Sequence, residues 1–275
     1  MDFWQNKRIW VVGASSGIGE GLIGWLVSSK ARVLISARRD EKLREIQTRF
    51  SKDSVRLLKI DVEDHQSLEQ KGEEAWSIFG GFDVVFLNAG MSVRDLVSDT
   101  QVMVEKRIMN INFWGPVILT KTLLKLKQPN DALHLVVTSS LSGKYGVPKL
   151  AAYAASKHAL HGYFDSLRAE TAQTNLKIHL VIPGFVKTAI TVAGFRGDGT
   201  PNGKMQNALE KGMDPEVCAK YILVGVAKGK EEFVVGGSER FTVILNRLFP
   251  GWNRALIRSN PLQRLAKIKR FFGFQ

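Results

Sequence analysis

The chain holds one cysteine, Cys218, so an internal disulfide is impossible and the composition suits a reducing compartment. No apolar run is long enough to span a bilayer as a helix. A strand-like segment, Arg8–Val12, starts almost at the first residue and leaves no room for a signal peptide, so a cytoplasmic protein is expected. Internal repeats and low-complexity blocks are missing. So are the motifs of nucleic-acid recognition, which makes nucleic acid the weakest candidate partner for a chain of formal charge +13. His158 and His161 lie three apart on one helical pattern, but no third ligand and no Glu partner accompany them, and no metal is expected. Acid is absent from the C-terminal end: residues 251–275 carry Arg254, Arg258, Arg264, Lys267, Lys269 and Arg270 and no Asp or Glu. Six of the thirteen net charges therefore belong to a tail, not to the whole surface.

What is present is an alternation. Short runs rich in Val, Ile and Leu occur at Arg8–Val12, Arg32–Ala37, Val55–Ile60, Val84–Leu87, Leu133–Thr138, Ile178–Ile182 and Glu232–Val235. Between them lie helical patterns at Ile18–Ser28, Glu41–Phe50, Ser67–Ile78, Val102–Lys127, Ala151–Thr174 and Pro215–Lys228, the last opened by Asp214 before Pro215. Strands that each lead into a helix predict an α/β fold with a parallel sheet covered on both faces. The glycine-rich, polar stretch 193–204 predicts a mobile loop of the kind that closes over ligands.

The stretch "VVGASSGIGEGL" follows the first strand and opens a helix. Gly13, Gly17 and Gly19 allow a tight turn, close approach of a pyrophosphate and close helix–strand packing, and the helix N-terminus offers free N–H groups to an anion. Strand–turn–helix context makes this a dinucleotide-binding loop, with Ser15, Ser16 and Ile18 beside the glycines. The second strand ends in Ala37, Arg38 and Arg39. An acid at that position would hold a ribose hydroxyl; two guanidinium groups instead favour a 2′-phosphate and hence NADP, with Arg38 as the clamp and Arg39 in support. Farther on, "AAYAASKHAL" sets Tyr153 and Lys157 four apart, on one helical face. Taken alone, that pair is either surface decoration or a device for moving a proton.

The GxxxGxG spacing together with Tyr-x-x-x-Lys resembles the short-chain dehydrogenase/reductase family, and further segments match it from about Lys7 to Gly237. These are Asn88, Ala89 and Gly90 in "FLNAG", Asn112 in "NFWG", Ser140 thirteen residues before Tyr153, and Pro183, Gly184, Val186 and Thr188 in "PGFVKT". Asp61 and Val62 resemble the family's adenine-contacting pair. Val12 departs from it, standing where many members have Thr, which costs a local hydrogen bond. The resemblance implies a single-domain Rossmann fold over residues 1–237, with a doubly wound parallel sheet of about seven strands. It also implies that Tyr153 is the acid/base that exchanges a proton with a carbonyl oxygen. Lys157 lowers the tyrosine pKa and holds the nicotinamide ribose, Ser140 binds the substrate oxygen, and Asn112 holds a proton-relaying water.

The expected activity is NADP-dependent interconversion of a carbonyl and an alcohol, favouring reduction, with a cofactor-binding regulator or a membrane-associated scaffold as alternatives. Family members commonly form homodimers or homotetramers, expected here through Val102–Lys127 and Ala151–Thr174. Residues 238–275 read as a basic amphipathic helical extension, with Leu262, Leu265, Ile268, Phe271 and Phe272 on one face. Such a helix lies on an anionic membrane surface or packs on protein; the two expectations stand equal. Similar ends on lipid-handling relatives point to a lipophilic ketone or aldehyde.

Overall fold

The computed structural model describes residues 2–259. Seven strands form one parallel sheet: β1 (Arg8–Val12), β2 (Arg32–Ala37), β3 (Val55–Lys59), β4 (Val84–Leu87), β5 (Leu133–Thr138), β6 (Leu176–Pro183) and β7 (Glu232–Val235), in the order β3-β2-β1-β4-β5-β6-β7. The winding reverses between β1 and β4, so a crevice opens there at the carboxyl ends of the strands. This is the parallel sheet expected from the pattern and the doubly wound Rossmann architecture implied by the family resemblance.

Side-chain alternation along the strands divides the core into two layers. Ile9 and Val11 of β1 face helices α1 (Gly17–Ser28), α2 (Asp40–Gln47) and, later in the chain, α8 (Pro215–Ala227). Trp10 and Val12 face the opposite layer, built on α3 (His65–Phe79), α5 (Gly115–Leu126) and α6 (Ala151–Glu170). Both faces of the sheet are therefore apolar, which is why its strands read as continuous hydrophobic runs. Full burial of each large side chain, such as Leu26 or Phe164, contributes roughly 1.5–3 kcal/mol. Asp214 caps α8 as expected: its Oδ1 accepts from the Glu216 N–H at 2.8 Å, and Pro215 fills the first turn.

The long helical pattern from Val102 is where sequence periodicity misleads. It divides into α4 (Val102–Met109), a π-helical turn over Asn110–Trp114, and α5. The wider turn absorbs an extra residue without breaking the apolar stripe, so a 3.6-residue periodicity does not detect it. Its effect is to turn Asn112 fully inward, where none of it is exposed to solvent. After β6, residues 193–204 have no helix or strand beyond isolated bridges, and a short helix α7 (Asn207–Glu210) precedes α8. Two further helices, α9 (Phe241–Leu248) and α10 (Pro250–Ser259), follow the sheet. The expected apolar face from Leu262 onward lies outside the described residues. Among the described residues no helix is long and apolar enough to cross a membrane.

Candidate active site

One cleft of about 900 Å³ runs across the carboxyl ends of the strands. Its wall includes Gly13, Ser15, Ser16, Gly17, Ile18, Arg38, Arg39, Asp61, Val62, Asn88, Ala89, Gly90, Ser140, Tyr153, Lys157, Pro183, Gly184, Val186 and Thr188. Gly19 and Asn112 stand behind that wall and shape it.

The loop after β1 depends on missing side chains. Gly13 has φ +87°, and a Cβ there would lie 2.5 Å from the Ala89 nitrogen; a Cβ at Gly19 would collide with the Gly13 carbonyl oxygen. Ser16 at the start of α1 makes no side-chain capping bond, so the first-turn N–H groups remain for a ligand. Asn88 ties the loop to the sheet: its Nδ2 donates to Gly13 O at 3.2 Å, and its Oδ1 accepts from Thr138 Oγ1 at 3.1 Å. These features fit a dinucleotide pyrophosphate. Arg39 is braced on this loop, donating to Ser15 Oγ and Ser16 Oγ, both at 3.0 Å. The Arg38 side chain is exposed on the cleft rim, with no hydrogen bond or ion pair among the described residues.

The catalytic candidates converge from three elements. Ser140 follows β5 in extended backbone; its Oγ accepts from the Ser142 N–H at 3.2 Å and its hydroxyl hydrogen-bonds the Tyr153 phenol. Tyr153 and Lys157 share the first turns of α6, where small residues let the π-helical turn approach. Lys157 is 2% exposed, and its Nζ donates to Thr138 O at 2.8 Å and lies 5.8 Å from the Tyr153 ring centre. Burial pushes the Lys157 ammonium down to about 8.

One expectation about a role differs here. The sequence reading has Lys157 acidifying the Tyr153 phenol. Burial instead pushes the phenol above its ordinary value, and the Ser140 hydrogen bond only partly offsets this. The reason is physical: phenolate loses hydration in the cleft wall while the nearest cation is itself made less basic. The Asn112 side chain is fully engaged: its Oδ1 accepts from the Met91 N–H at 2.7 Å, and its Nδ2 donates to Met91 O and Ser156 Oγ, both at 2.9 Å. Ser156 Oγ donates in turn to Tyr153 O at 2.7 Å. Asn112 thus pins the loop after β4 and the Tyr153 turn of α6 to each other.

Sequence reasoning also missed partners. His161 does have a carboxylate neighbour: its Nδ1 lies 3.2 Å from Glu232 Oε2, and its Nε2 lies 2.9 Å from Ser139 Oγ. With Asp165 these groups cluster within 4.8 Å, but Lys144 Nζ lies 2.7 Å from Glu232 and Arg168 pairs with Asp165, as in an ion-pair network. The Glu232 carboxyl is held down at about 2, chiefly by the His161 hydrogen bond and then by Lys144, against the opposing effect of burial. Glu239 accepts from the Phe185 and Gly237 N–H groups, both at 3.0 Å, and fills the space that a side chain at Gly184 would need. Leu256 and Ile257 of α10 line the cleft as well, so the extension contributes to its wall. Nothing in local sequence signals these pairings.

Residues 7–197 match the model of the family described as short chain dehydrogenase. The chain is 31% identical over 243 residues to dehydrogenase/reductase SDR family member 7B of Xenopus tropicalis, covering 86% of this chain and 79% of that protein. It is 34% identical over 242 residues to a dehydrogenase/reductase SDR family protein 7-like of Anopheles gambiae, covering 84% and 75%. Among solved structures, a short-chain dehydrogenase/reductase from Burkholderia phymatum in complex with NAD superposes with a TM-score of 0.79 at 19% identity, over 90% of this chain and 95% of that one. The closed form of serine dehydrogenase complexed with NADP+ gives 0.75 at 19% identity, over 84% and 94%.

Proposed function

The chain belongs to the short-chain dehydrogenase/reductase family of oxidoreductases, and from that premise we propose that it is an NADP-dependent reductase of a lipophilic ketone or aldehyde. The observation that carries this reading is the convergence of Ser140, Tyr153 and Lys157 on the same cleft as the glycine loop. A nicotinamide cofactor held by Gly13–Gly19, Asp61–Val62, Asn88–Gly90, Lys157 and Pro183–Thr188 supplies the hydride. The protein's part is the proton and the geometry. Tyr153, protonated at neutral pH, donates to the carbonyl oxygen as charge develops there. Ser140 hydrogen-bonds the same oxygen and stabilises that charge; its own oxygen is already anchored by the Ser142 N–H. Lys157, close to neutrality in its buried site, recharges Tyr153.

Preference for NADP rests on the rim. Arg38 is uncommitted and meets no acid at Ala37, while Arg39 already holds Ser15 and Ser16, so Arg38 is the clamp for a 2′-phosphate. The chemistry is tested by a carbonyl panel run with NADPH and with NADH. Turnover of lipophilic ketones with NADPH supports the reading; tight NADPH binding with no turnover of any carbonyl indicates a cofactor-binding regulator.

A second reading concerns the extension. Phe241, Ile244 and Leu248 of α9 and Phe249 and Trp252 beside it are more than half exposed, and no acid follows Glu239 in the chain. We infer a peripheral site for an anionic membrane surface, reached through these side chains and the basic residues around them. Sedimentation with anionic liposomes at low salt checks it. Assembly as a homodimer or homotetramer is tested by sizing the protein in solution.

A further inference from the structure

Among the described residues Arg94 is the one arginine of the cleft wall outside the cofactor rim. Its backbone is clamped from two sides. Arg94 N donates to Phe195 O at 3.0 Å, and the next residue, Asp95, donates from its N–H to Lys149 O at 3.1 Å, four residues before Tyr153. The guanidinium is partly buried, and burial pushes its pKa below the ordinary value. Among the described residues no carboxylate lies within ion-pair distance of it. Asp95 turns away: its Oδ2 accepts from the Gly197 N–H and its Oδ1 from the Leu96 N–H. The polar neighbour of the Arg94 side chain is the neutral amide of Gln206, and the assignment that satisfies both groups turns the amide oxygen to the guanidinium, where it accepts from Nε and Nη1.

A cation that has lost water and has no counter-charge is costly in a folded protein unless a ligand supplies the anion. The surroundings narrow that ligand further. Lys149, held at φ +68°, adds a second cation to the wall. Among the described residues the only acid on the wall, Asp61, belongs to the cofactor end. The same wall carries apolar side chains, including Leu150, Ile190 and Leu209.

We propose that the carbonyl substrate is an anionic amphiphile, an apolar chain bearing a carboxylate or phosphate monoester that Arg94 binds through paired hydrogen bonds, with Gln206 holding the guanidinium in place. This rests on the reading of the cleft as a carbonyl-reducing site, and the test separates the two.

The test uses the full chain saturated with NADP+ and three twelve-carbon probes below their aggregation limits: dodecanoate, dodecyl phosphate and dodecanol. Calorimetric titration should show at least one anion binding about tenfold or more tightly than the alcohol. The tighter anion identifies the head group. Raising the salt concentration should weaken the anion and spare the alcohol. Arg94→Gln should erase the difference while leaving dodecanol and NADPH affinity within about twofold, and Arg94→Lys should retain part of it. Dodecanol bound as tightly as both anions by the wild-type protein overturns the proposal, as does a preference that survives in Arg94→Gln. A fall in NADPH affinity in that variant also overturns it, by assigning Arg94 to the cofactor. Turnover is then measured with matched oxo-dodecanoate and dodecanone. If neither is reduced while the binding preference stands, the enzymatic reading fails and the anion site remains.

Discussion

At the cofactor end of the cleft, the wall is shaped by three glycines within seven residues. At the substrate end the wall is assembled from Arg94, Lys149, Ile190, Gln206 and Ile257, which lie far apart in the chain and act through side chains. The first end is shaped by backbone geometry, which fits a phosphate only while those glycines stay bare. The second can be rebuilt residue by residue without disturbing the sheet. Reaction class and substrate choice are thus physically separable in this fold.

The largest expected effect breaks the first end. Gly19→Ala puts a methyl group onto the Gly13 carbonyl, so α1 must move. NADPH affinity measured by fluorescence titration should fall by roughly two orders of magnitude or more, equivalent to about 2.7 kcal/mol. An unchanged affinity would show that the loop has slack that its packing does not reveal. Next comes cofactor choice. On the proposed reading, Arg38→Asp would remove a charge-assisted contact with the 2′-phosphate, of a kind that contributes about 1.5–3 kcal/mol. NADPH should weaken accordingly and NADH gain relative to it; equal wild-type affinities for the two cofactors would remove the basis for NADP preference.

The joint between the two ends is Asn112. Asn112→Ala deletes three hydrogen bonds that link Met91, Ser156 and the Tyr153 turn. It should cost about 1–3 kcal/mol in chemical denaturation and lower kcat more than NADPH affinity. An equal fall in both would make it a support of the whole cleft.

The smallest expected effect lies behind the substrate end. Because the Glu232 carboxyl is held at about 2 when folded and returns to about 4.5 when unfolded, its stabilisation is present above pH 4.5 and fades as pH falls towards 2. Solvent screening limits it to less than about 1 kcal/mol. Glu232→Gln should flatten the acid limb of the stability profile and leave neutral-pH NADPH binding unchanged. A limb as steep as wild type assigns acid sensitivity elsewhere.

The same contrast explains what could be read from sequence. All seven strands were legible because buried parallel strands are continuous apolar runs, and the glycine loop because strand, turn and helix are contiguous. The convergence of Ser140, Tyr153 and Lys157 was legible only through the family resemblance that their spacing carries. The π-helical turn was hidden because it preserves the apolar stripe. The Asn112 clamp, the His161–Glu232 contact and the contribution of α10 to the cleft are tertiary pairings, and no local periodicity encodes which distant residue arrives. The phenol of Tyr153 was misjudged because its burial is invisible before the cleft is built.

The most direct measurement is turnover by Tyr153→Phe, with NADPH affinity determined on the same preparation. The ring, its packing and the contacts of Lys157 to Thr138 are kept; only the proton donor is lost. The expected result is a fall in kcat of roughly two or more orders of magnitude with NADPH binding little changed. Near-normal turnover, or a loss matched by equal weakening of NADPH, contradicts the assignment of Tyr153 as the acid.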